Sequence, residues 1–89
     1  MTKQQLERTD ELVDMARDIL AGEDPMVQGA TIAQLMATFI AGHHPSIRQQ
    51  ARADLLHCID GLVEIEVEQL IAEKRAPADW RMPDKSTTV

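Results

Sequence analysis

Aromatic side chains are nearly absent from this chain. Phe39 and Trp80 are the only two, and there is no tyrosine. A core built on rings is excluded, so packing has to rest on Leu, Ile, Val, Ala and five methionines. Methionine adapts to irregular gaps, which suits a small core or a pliable interface. Cysteine occurs once, as Cys58, so no internal disulfide can form. It falls on the apolar side of its segment, where a buried inert thiol in a reducing cytoplasm is the ordinary expectation.

Positive charge is also scarce. Nine Lys and Arg stand against fifteen Asp and Glu, a net charge of −6. Nucleic acid and anionic membranes require a basic surface. Arg48 and Arg52 are a slender basis for one, so neither partner is expected. No apolar run approaches the roughly 18 residues of a membrane span. The opening MTKQQLERTDELVD is polar and shows no secretory pattern, and a cytoplasmic protein is expected. No phosphate loop, dinucleotide fingerprint or nucleophile–base motif occurs, so no enzyme and no cofactor are expected. A chain of 89 residues makes one domain and buries only about 60–65% of its unfolded surface.

What is present is helix-forming pattern. Residues 46–75 contain no proline and one glycine, Gly61. On a wheel of about 100° per residue, Ala51, Leu55, Leu56, Cys58, Ile59, Leu62, Val63 and Leu70 gather on one side. Gln50, His57, Asp60, Glu64 and Glu68 fall on the other. Ser46 with Gln49 has the spacing of a capping box. Lys74 and Arg75 suit a helix C-terminus, and Pro77 ends the segment. Residues 63–68 alternate strictly, and Asp60 with Gly61 is a hairpin dipeptide. That rival strand reading lacks a partner, and an isolated hairpin is marginal in water.

Residues 2–21 read as a first helix, with Leu6, Leu12, Val13, Ala16, Ile19 and Leu20 on its apolar side and Gly22 as its stop. Asp24 caps the next helix and Pro25 opens it. That second helix, 25–41, is the least polar part of the chain. Ile32, Ala33, Met36, Ala37, Phe39 and Ile40 cover well over half its circumference, so other helices are expected to wrap it. Gly42, His43, His44 and Pro45 connect it to the long helix. The expected fold is all-α: three helices at 2–21, 25–41 and 46–75. Residues 1–75 form a helical domain, and 76–89 an irregular tail that frays after about Pro83.

Few residues suggest chemistry. His43, His44 and His57 lack metal-ligand spacing, and His43 and His44 suit the closing of the second helix. Glu64, Glu66 and Glu68 spread over about 200° of a helix, too far to act as a pair. Two charges, however, stand where apolar residues belong. Glu66 lies near the centre of the long helix's apolar stripe, and Arg52 lies about 40° away. They are fourteen residues apart, or about 21 Å along one helix. Both are symmetric about Ile59, so an antiparallel second copy would set each Arg52 opposite a Glu66. Leu55 would face Val63, and Leu56 would face Leu62. Alternatively both charges sit at the rim, or Glu66 meets Arg8 or Arg17. Trp80 stands among prolines. It either covers an apolar edge or serves with its neighbours as a docking motif.

These features imply a homodimeric helical bundle acting as a non-catalytic interaction module: an adaptor, regulator or antitoxin-like protein. The candidate interaction residues are Arg52, Leu55, Leu56, Ile59, Leu62, Val63, Glu66 and Trp80. An acidic balance suits a partner with a basic surface. The alternative is a small-molecule or metal sensor built on His43, His44 and His57.

Overall fold

The computed structural model describes residues 1–81. Three α-helices form: α1 over Lys3–Leu20, α2 over Pro25–Ala41 and α3 over Arg48–Ala72. A short 3-10 turn follows at Ala78–Trp80. Helix accounts for 78% of the described residues and strand for none, so residues 60–68 continue α3 and form no hairpin. The expected fraying after Pro83 lies outside the described residues. By its own contacts the chain divides into two units, Met1–Phe39 and Ile40–Val89.

In the first unit, Thr2 opens α1 with a reciprocal cap. The Gln5 N–H donates to the Thr2 hydroxyl (3.1 Å), and the Thr2 N–H donates to the Gln5 side-chain oxygen (2.9 Å). Two of the four orphan donors of a helix start are met this way. At the other end Gly22 adopts a left-handed φ of 80°. That conformation is costly for other residues, which is why glycine marks the stop. Asp24 then accepts from the Met26 N–H at 2.8 Å, as its sequence position implies. The Gln28 side chain reaches back to the Leu20 carbonyl at 2.7 Å. It joins the Glu23 N–H, which donates to the same carbonyl at 3.2 Å.

The second unit holds the end of α2, the connecting turn, α3 and the 3-10 turn. Here the expected Ser46 cap does not form. Ser46 lies inside a turn closed by the Ile47 N–H on the His44 carbonyl (2.9 Å). Its hydroxyl sits 2.8 Å from His44 Nδ1, and α3 starts after Ile47 with no side-chain cap. The turn is fastened instead by Arg48. Its Nε donates to the His43 carbonyl (3.0 Å) and its Nη2 to the Ala41 carbonyl (3.1 Å). A cation at the end of α2 satisfies orphan carbonyls and meets the negative end of the helix dipole.

α3 also stops earlier than its sequence suggests. Glu73 is the cap, and Lys74 turns left-handed with φ 60°. The Arg75 N–H bonds the Leu70 carbonyl and the Lys74 N–H bonds the Ile71 carbonyl. This is the Schellman arrangement, with lysine where glycine is usual. The helix therefore ends before Pro77 has any influence. A left-handed lysine costs about 1–2 kcal/mol. Lys74→Gly is therefore expected to stabilise the protein by about 1 kcal/mol, or about 4–8 °C in melting temperature. Matched thermal melts check this. An unchanged or lower Tm would show that the lysine side chain compensates for its backbone.

Neither unit encloses a core. Among the described residues no side chain is buried. The reason is geometric for α3, which has one short turn packed on it. Such a neighbour can shade a stripe but cannot surround a helix. α2 was expected to be wrapped, yet Met26, Val27, Ile32, Leu35 and Phe39 stay exposed.

Candidate interaction surface

The candidate surface is best built from α2 and α3 taken separately. α2 carries no charged residue. Thr31 and Thr38 turn their hydroxyls onto the helix's own carbonyls, at Val27 (2.8 Å) and Gln34 (3.0 Å). Gln28 is occupied by Leu20. Its narrow polar strip is thus engaged locally, and its outer surface is dominated by apolar groups. Met26 and Leu35 are the clearest cases, at 82% and 65% exposure.

On α3, Leu55 and Ile59 are half-buried. Arg52, Leu56, Leu62, Val63 and Glu66 are exposed. Glu66 is engaged within its own chain. The stripe seen in the sequence is real in the first half of the helix. In the second half the alternation at 63–68 carries Ile65 and Val67 round the helix, leaving polar a strip of His57, Glu64 and Glu68. Cys58, expected to be buried, is exposed. It sits about 100° from Ile59 around the helix. A shallow open groove of about 510 Å³ follows Glu64, Ile65, Glu68, Gln69 and Ala72.

The histidines do not converge. His43 and His44 stay in the turn, with the His44 ring held by Ser46. His57 is exposed on α3. Among the described residues no three His, Cys, Asp or Glu side chains gather closely enough to hold a metal ion. No helix among them is long and apolar enough to cross a membrane.

Trp80 ends the 3-10 turn, its N–H on the Pro77 carbonyl at 3.0 Å. The turn packs against α3, but the indole remains 59% exposed. What fixes the turn is its neighbour. Arg81 grips Glu68 with two bonds, of 2.7 and 3.3 Å. Those bonds, helped by the positive charge, lower the Glu68 pKa and raise that of Arg81. The residues are thirteen apart, so local pattern gives no sign of the pair. No protein-family model, curated protein or solved structure matches the chain.

The pair sets a pH dependence. Because the folded pKa of Glu68 is depressed, its contribution is complete above the ordinary glutamate value of about 4.3. It is lost as pH falls through the lower folded value. Arg81 stays charged throughout. Trp80 fluorescence is expected to change in that acid window, and Glu68→Gln should abolish the step. A step of equal size in the variant would assign it to other carboxylates.

Proposed function

We propose that this protein is a non-catalytic protein–protein interaction module that works as a homodimer, two copies completing one helical bundle in the cytoplasm. The observation that carries this reading is α2: seventeen residues without a charge, of whose large apolar side chains Met26, Val27, Ile32, Leu35 and Phe39 stay exposed. A contiguous apolar surface of that kind marks an association site, and twofold dimers are the commonest way to cover one. The acidic face of α1, with Glu7, Glu11, Asp14 and Asp18, is exposed. It suits a further protein with a basic surface, in the manner of a small adaptor, regulator or antitoxin-like partner. Sedimentation of the purified protein tests the reading. A particle of twice the chain mass at micromolar concentration supports it. A particle of 9.9 kDa up to high micromolar concentration overturns it.

A further inference from the structure

We infer that the two copies meet along α3, antiparallel, on a twofold axis through Ile59. This rests on the homodimer reading and names the seam. Arg52 and Glu66 each lie seven residues from Ile59, about 10 Å along the helix. Both fall within about 20° of Ile59 around it. A twofold axis at Ile59 therefore sets Arg52 against the partner's Glu66 and Glu66 against the partner's Arg52. The same axis sets Leu56 against the partner's Leu62, and Leu55 against the partner's Val63. A parallel pair would instead oppose arginine to arginine and glutamate to glutamate, and like charges across an interface are strongly disfavoured.

The face is largely open to a partner, with Leu55 and Ile59 half-buried at its centre. Leu56, Leu62 and Val63 are exposed, as are Arg52 and Glu66. Arg81 binds Glu68, which lies about 180° from Ile59 around the helix, so that grip is on the far side from the seam. Glu66 is engaged within its own chain. A carboxylate accepts several hydrogen bonds, so it can receive the partner's Arg52 as well. The occupant this surface matches is itself: apolar at the centre, with opposite charges at equal distances on either side.

Charge exchange tests the seam. Arg52→Glu or Glu66→Arg alone should raise the dissociation constant about ten- to a hundredfold by sedimentation, with helix content matching the wild type at concentrations where the variant is dimeric. The double exchange should recover most of the loss. A cross-link that does not depend on stability accompanies it. In a Cys58→Ser background, Arg52→Cys protein is mixed with Glu66→Cys protein and mildly oxidised. The mixed disulfide should dominate over the two self-linked products. A wild type that stays monomeric overturns the homodimer reading itself. A wild type that dimerises, with single exchanges that dimerise normally or mixed linkage no commoner than self-linkage, overturns the seam alone.

Discussion

Leu35→Asp is expected to dissociate the protein and lower its melting temperature by about 10–20 °C. In a single chain this position is 65% exposed. A charge placed there would cost within about 0.5 kcal/mol, the usual scale for a surface change. In the proposed homodimer the α2 surface lies inside the assembly. Burying leucine contributes about 1.5–3 kcal/mol, and aspartate adds a desolvation penalty in its place. A loss of about 2–3 kcal/mol per chain is therefore expected, and a chain this size converts it to the stated temperature shift. Thermal melts and sedimentation at one concentration read both effects. A variant that melts like the wild type would place α2 outside any interface.

Dilution should unfold the helices themselves. With no buried side chain among the described residues, a lone chain has little hydrophobic driving force to set against its conformational entropy. Folding and association should then be one step, and stability should follow concentration by mass action. Between 1 mM and 1 μM the loss is about 4 kcal/mol. Helical circular dichroism should fall along with dimer mass, and the melting temperature should fall over the same range. A helical signal and Tm independent of concentration would mean that single chains hold their structure unaided.

Much of the fold was legible because it depends on short-range chemistry. Period-3.6 spacing located three helices, and Gly22, Asp24 and Pro25 punctuated them where they were expected to. The errors sit at the ends of α3, where composition misleads. Ser46 has the right side chain for a cap, but it lies one residue too early, inside the His44–Ile47 turn. Glu73, Lys74 and Arg75 are good helix formers, so the left-handed Lys74 had no marker. The candidate surface was only partly legible. The positions of Arg52, Glu66 and Ile59 follow from helical geometry alone. The grip of Arg81 on Glu68 and of Arg48 on the α2 carbonyls are contacts between separate segments, which side-chain periodicity does not encode. Sequence favoured a wrapped α2, yet Met26, Val27, Ile32, Leu35 and Phe39 stay exposed.

The Arg48 contact has a temporal consequence. The carbonyl of Ala41 is sealed by a side chain seven residues later, from the first residue of the next helix. During synthesis the end of α2 therefore emerges unsealed, and it stays so until the first turn of α3 has wound. The converse holds in the finished protein: whenever that first turn frays, the Ala41 carbonyl is released with it. Two helices that look separate along the chain thus share one latch, and their adjoining ends open and close as a single event.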